Sequence, residues 1–191
     1  MLICGTDEAG RGPLAGPVTA GAVILPDDFP IEILNDSKKL NEKKRNFAAT
    51  VIKEKALGWG VVNISQEIID DINILQASLL AMKLSCEKAM AMIDENEDLS
   101  GEPIHVIADG NKVPDVNCDV EALVKADSTI PAVMAASILA KTERDALMVQ
   151  YDKLYPEYGY AQHKGYPTKA HREICKKIGP SPIQRKTFSY K

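Results

Sequence analysis

The chain has 191 residues, 45% of them hydrophobic and 26% charged, and a formal net charge of -4. That size and balance describe one soluble domain with a full core, without an apolar run long enough to span a bilayer. The acidic balance excludes a uniformly basic nucleic-acid binder, yet Lys153 to Lys191 holds nine Lys/Arg against two acids, a local +7 beside a body of -11 that suits a phosphate-gripping surface.

In chain order, residues 2–7 read as a β-strand running into the glycine-rich turn Gly10-Arg11-Gly12. Residues 17–25 read as a second, buried strand, followed by a turn between Pro26 and Pro30. Asn41 is placed to cap a helix reaching about Lys55, with Phe47, Val51 and Ile52 on its apolar side. Residues 57–64 alternate as a third strand. From Ser65 to about Asp94 the sequence predicts one long helix, with Ile72, Leu75, Leu79, Met82, Cys86, Met90 and Ile93 recurring at three- and four-residue steps. Residues 104–108 form a fourth strand ending at Asp109, and 122–125 a fifth before Asp127. Thr129 is positioned to cap a helix whose Pro131 suits the first turn and which runs to about Tyr151. A short helix follows near 168–177. The order is mixed α/β, with acids at the strand ends, where such folds place their sites. The division expected is a core of residues 1–152 and a basic extension of 153–191 within one compact unit.

Cys4, Cys86, Cys118 and Cys175 are scattered and form no C-x-x-C pair. They read as reduced thiols in a cytoplasmic protein, with Cys4 and Cys86 in the core. His105 reads as core and His171 as surface. On the 129–151 helix, Glu143, Arg144 and Asp145 read as a solvated face.

Asp7, Glu8, Asp109 and Asp127 carry the chemistry. Carboxylates beside core strands are costly unless compensated. If the strands are neighbours, the acids converge, and magnesium or manganese would favour their ionised forms. Two ions about 3.5–4 Å apart could activate a water and stabilise a departing oxygen. The alternative is that each acid separately caps a helix or tightens a turn. Adjacent strand residues face opposite sides, so Asp7 and Glu8 share a site only if the strand ends or distorts between them. Arg11 adds a phosphate-binding fork, and the glycines let backbone come close to a ligand.

Taken together, these motifs resemble type 2 ribonuclease H, and bacterial ribonuclease HII within it. The likeness runs through residues 5–17 (Gly-Thr-Asp-Glu-Ala-Gly-Arg-Gly-Pro-Leu-Ala-Gly-Pro), 35–40 (Asn-Asp-Ser-Lys-Lys-Leu), 108–110, 125–127, 135–141 (Ala-Ala-Ser-Ile-Leu-Ala-Lys) and 163–168 (His-Lys-Gly-Tyr-Pro-Thr). The resemblance implies a ribonuclease H-like fold, a mixed central sheet flanked by helices with a C-terminal helical and loop extension. It implies hydrolysis of RNA in RNA/DNA hybrids, and cleavage 5′ of single ribonucleotides in duplex DNA to leave a 3′-hydroxyl and a 5′-phosphate. Asp7, Glu8, Asp109 and Asp127 match the family's metal-binding carboxylates, for two Mg2+ or Mn2+ ions. Gly10, Arg11 and Gly12 match the loop that reads the ribose 2′-hydroxyl, and Tyr166 the tyrosine that stacks on the following deoxyribose. Lys38, Ser137, Lys141, His163 and Lys164 match segments bordering the nucleic-acid backbone. The family also implies a monomer working away from membranes.

Three other functions compete. Another nuclease of the same fold would lack the pairing of Gly-Arg-Gly with Tyr166. A non-catalytic nucleic-acid-binding protein would not need four intact acids. A dinucleotide-binding domain requires G-x-G-x-x-G, which Gly10-x-Gly12-x-x-x-Gly16 does not match.

Overall fold

The structure is a computed structural model that describes residues 1–34 and 40–190. Lys38 lies outside the described residues. A five-stranded sheet has the order β3-β2-β1-β4-β5, from β1 (Leu2–Ala9), β2 (Val18–Ile24), β3 (Gly58–Ile64), β4 (Ile104–Asp109) and β5 (Asp119–Leu123). The first three strands form an antiparallel meander, and β1, β4 and β5 run parallel. The helices are α1 (Glu42–Lys55), α2 (Gln66–Ile72), α3 (Ile74–Asp94), α4 (Pro131–Leu154), α5 (Tyr160–His163) and α6 (Lys169–Ile178). This is the mixed sheet flanked by helices expected from the sequence.

Every residue of β2 is buried because both faces of the sheet are covered. On one face α4 lies on β1 and β2, and α1 packs beside it through Ala48, Ala49 and Ile52 against Ile138 and Leu139. On the other face α3 covers β3 and β2 through a row of small residues, Ala77, Ala81, Ser85 and Ala89. Helix α4 approaches so closely that a Cβ on Gly5 would lie 2.2 Å from backbone atoms of Ala132 and Val133, and one on Gly21 2.4 Å from the Ala136 carbonyl. Only glycine admits the helix at these two crossings.

Several boundaries differ from the sequence reading. The long helix is broken at Asn73, whose φ of 70° leaves the helical region; its side chain accepts a hydrogen bond from the Gln76 N–H at 3.1 Å and starts α3. Asparagine is among the residues that cap helix N-termini best. Strand β5 begins at Asp119, three residues earlier than expected, because pairing with β4 sets its register. Thr129 does not cap α4; Ile130 precedes Pro131, which opens the helix. Phe47 is 62% exposed, since the inward side of α1 runs through Arg45, Ala48, Ala49 and Ile52. Asn41 and Thr168 cap α1 and α6 through their side chains. Helix α4 continues past residue 152, and the segment after it folds back. There Tyr158, Tyr160, Cys175 and Ile183 share a core with Ala15 and Met148.

Among the described residues no helix is long and apolar enough to cross a membrane.

Candidate active site

Asp7, Glu8, Asp109 and Asp127 line one cleft of about 420 Å³, together with Gly10, Arg11, Gly12, Ser137, Lys141 and Tyr166. Strand pairing explains the meeting. The ladder between β1 and β4 stops at Thr6–Ala108, so Asp7 and Glu8 overhang the end of β4, where Asp109 stands. The strand does not end between the two acids; it runs on to Ala9, paired with β2. Asp7 shares the α4 side of β1 with Gly5, and Glu8 the α3 side with Cys4. Beyond the end of β4 both carboxylates reach the same space. Glu8 also lines a small pocket with Ser78 and Met82 of α3.

Asp127 sits in a 3-10 turn after Lys125, whose φ is 62°. Its backbone N–H donates to Asp109 Oδ1 at 3.3 Å, and Ser128 Oγ donates to Asp127 Oδ1 at 3.3 Å. Asp7 Oδ1 accepts from the Glu8 N–H at 2.7 Å and its carboxylate accepts from Ser137. Burial, and then the charge of Glu8, push Asp7 up to about 7. Burial also raises Glu8, although Arg11 lies 3.4 Å away and opposes the shift. Among the described residues no three His, Cys, Asp or Glu side chains are gathered tightly enough to enclose an ion as they stand.

The opposite wall is cationic. Arg45 of α1 reaches the cleft, and its Nη2 donates to Asp145 Oδ2 at 3.1 Å, while Lys141 Nζ donates to Asp145 Oδ1 at 2.8 Å. Asp145 is thus not on a solvated face: one largely buried carboxylate holds two cations from two helices at the cleft. Sequence reasoning missed Arg45, and its three-residue step to Ala48 was the available signal. Asp145→Ala is expected to raise KM several-fold with kcat near the parental value, because the two cations lose their anchor; a lower KM would show that the carboxylate merely repels nucleic acid.

Tyr166 is 37% exposed, with Lys141 Nζ 5.9 Å and Arg144 Cζ 5.8 Å from its ring centroid. His163 and Lys164 are not brought into the cleft. His163 Nδ1 accepts from the Gly165 N–H at 3.1 Å and Nε2 donates to the Tyr158 carbonyl at 2.7 Å, which fixes the neutral ring. Lys164 Nζ donates to the Ala161 carbonyl. His171 is fully buried rather than at the surface, stacked on His163 with ring centroids 4.3 Å apart, and bonded to the Tyr166 carbonyl. Desolvation lowers the pKa of both rings. His105 is partly exposed and meets Glu121 at 3.1 Å.

The sequence model described as Ribonuclease HII matches residues 4–191. The chain belongs to the ribonuclease HII family. As a member of that family it is a hydrolase, an endonuclease of the ribonuclease H class. A curated relative, ribonuclease HII of Treponema denticola, is 52% identical over all of this chain and 99% of its own length. A solved structure of ribonuclease H2 from Pyrococcus horikoshii OT3 superposes with a TM-score of 0.72 at 25% identity, covering 100% of this chain and 95% of that one. Bst-RNase HIII, solved in complex with Mn2+, shares the fold with a TM-score of 0.77 at 19% identity, over 100% of this chain and 68% of that one.

Proposed function

We propose that this ribonuclease HII hydrolyses the RNA strand of RNA/DNA hybrids. In duplex DNA it cuts on the 5′ side of embedded ribonucleotides, leaving a 3′-hydroxyl and a 5′-phosphate. The observation that carries this is the convergence in one cleft of four carboxylates, the Gly10–Gly12 loop and Tyr166. The acids fit divalent cations: the donor set is all carboxylate oxygen, and Asp7 is buried with no cation in contact with it among the described residues. Asp7, Glu8, Asp109 and Asp127 would hold Mg2+ or Mn2+, which would supply Lewis acidity at the phosphate and a polarised, oriented water.

The remaining work falls to the chain. Ser137 orients Asp7, and the Asp127 N–H orients Asp109. Arg11, Arg45 and Lys141 line the cleft as phosphate contacts, Ser137 borders the same backbone, and the extension of residues 153–191 adds its positive charge along the duplex. His163 and Lys164 serve by building the turn that carries Tyr166, whose ring packs on a sugar lacking a 2′-hydroxyl.

The test is cleavage of a DNA duplex carrying one ribonucleotide, with Mg2+ or Mn2+ and a chelator control. A metal-dependent cut 5′ of the ribonucleotide is expected. Tyr166→Ala should lower kcat/KM on that substrate about 10–100-fold, of the size that stacking contacts contribute. Near-parental turnover by this variant would remove Tyr166 from junction recognition. Binding without cleavage by the folded parent would favour a non-catalytic role.

A further inference from the structure

Among the described residues Arg144 and Arg185 are the two largest fully buried side chains, and neither has a carboxylate partner. Both spend their guanidinium on main-chain carbonyls. Arg144 donates through Nε to Pro17 at 2.9 Å, through Nη2 to Ala15 at 3.1 Å and through Nη1 to Lys164 at 2.9 Å. Arg185 donates through Nε to Gly16 at 2.9 Å, through Nη1 to Arg11 at 2.9 Å, and through Nη2 to Gly10 at 2.5 Å and Pro17 at 3.1 Å. Burying two like charges is costly; desolvation lowers Arg144 to about 10 and, with the charge of Arg144, Arg185 to about 9. Apolar side chains would fill the space at less cost, so packing alone does not account for the pair.

The hydrogen bonds do. In a planar trans peptide the carbonyl of one residue and the N–H of the next point in opposite directions. With the Gly10 and Arg11 carbonyls drawn inward onto Arg185, the N–H groups of Arg11 and Gly12 are turned away from it, in a loop whose residues 10–12 line the cleft. Two successive amides over buried positive charge form a site for an oxygen ligand. Arg144 also reaches the second recognition element. Its bond to Lys164 ties down the turn before Tyr166, and its Cζ lies 5.8 Å from that ring. Contact with the loop is so close that a Cβ on Gly10 would lie 2.0 Å from Arg144 Nε.

We propose that Arg144 and Arg185 are positioning residues for substrate selectivity. They form a guanidinium clamp that presents the Arg11 and Gly12 amides to a ribose 2′-hydroxyl, and Arg144 sets the distance from that loop to Tyr166. This rests on the function proposed above. Neither arginine touches substrate; lysine at either position keeps the charge but loses the fork that grips several carbonyls.

The experiment measures binding, in the cleavage-blocked Asp7→Asn background, to two duplexes of one sequence, one all-DNA and one carrying a single ribonucleotide. The parent of this series should prefer the ribonucleotide duplex; no preference would overturn the underlying reading and the clamp with it. Arg185→Lys and Arg144→Lys should each cut the preference at least tenfold while all-DNA affinity stays within about threefold. A double-mutant cycle with Tyr166→Ala should be non-additive for Arg144→Lys and additive for Arg185→Lys. Equal loss on both duplexes, or an unchanged preference, would reduce the arginines to structural fixtures while leaving the function standing. A measurement free of arginine variants, and so of their folding, is amide hydrogen exchange. The Arg11 and Gly12 amides should be protected by the ribonucleotide duplex and not by all-DNA; equal protection by both would overturn the clamp.

Discussion

Asp7→Asn is expected to abolish cleavage and, in metal-free buffer above pH 7, to make the protein more heat-stable. The two effects have one cause. Asp7 lies in β1 at the end of β4, 6% exposed, with Glu8 and Asp109 as its charged neighbours. Its carboxyl group is raised from 3.8 to about 7, first by burial and then by Glu8. A raised carboxyl binds more protons in the folded than in the unfolded state between those values, so stability falls as pH climbs through that window and the deficit is complete above pH 7. At about 1.4 kcal/mol per pH unit the upper limit is near 4 kcal/mol, shared with its coupled neighbours. Asparagine removes the buried charge, keeps the shape and can still accept from the Glu8 N–H. A gain of roughly 3–10 °C in Tm at pH 8 should follow, shrinking toward pH 5. Mg2+ should raise the Tm of the parent and leave that of Asp7→Asn unmoved. The fall in kcat should be at least about 1,000-fold, since one of the four carboxylates proposed to hold the ions is gone. Retention of more than a tenth of parental activity would remove Asp7 from the centre of the site.

Asp7, Asp109 and Asp127 were legible because each follows a short apolar run, and the family resemblance supplied their grouping with Glu8. What the sequence could not supply was how Asp7 and Glu8 share a site. That depends on where the β1–β4 ladder stops, a property of pairing rather than of local sequence. Asn73 illustrates a different failure: the apolar spacing continues through a helix break that only a left-handed residue with its own capping bond creates. Arg144 was readable and was misread. Ala132, Ala136, Ala140, Arg144 and Met148 recur every four residues, and all five are buried. The arginine therefore falls on the inward stripe of α4, where a charge implies a dedicated set of acceptors. Arg185 left no such trace, since its acceptors lie in a loop about 170 residues earlier. His171 was assigned to the surface by its helix, yet the neutral ring, stacked on His163 and bonded to the Tyr166 carbonyl, is part of the turn that carries that tyrosine.

Gly5→Ala should be the most damaging single methyl group in the chain outside the carboxylates. The added Cβ would lie 2.2 Å from the Ala132 carbonyl carbon and the Val133 nitrogen. Both are backbone atoms in the first turn of α4, so no side-chain rotation relieves the overlap; strand and helix must separate. Overpacking of this kind costs about 3 kcal/mol or more when rigid backbone is on both sides, a large part of the 5–15 kcal/mol that holds a typical domain together. The same displacement carries a functional signature. Helix α4 bears Ser137, which bonds Asp7, and Lys141, which lines the cleft, and the turn holding Asp127 leads directly into its N-terminus. Moving the helix outward shifts three of these groups together relative to β1, and a misplacement of about 1 Å at the reacting centre costs about 100-fold. Gly5→Ala that remains folded at low temperature should therefore lose kcat about 100-fold, with a several-fold rise in KM because Lys141 and Asp145 move with the helix. A stable, fully active Gly5→Ala protein would mean that α4 does not rest directly on β1, and that the spacing between Asp7 and Ser137 is set by something other than this crossing.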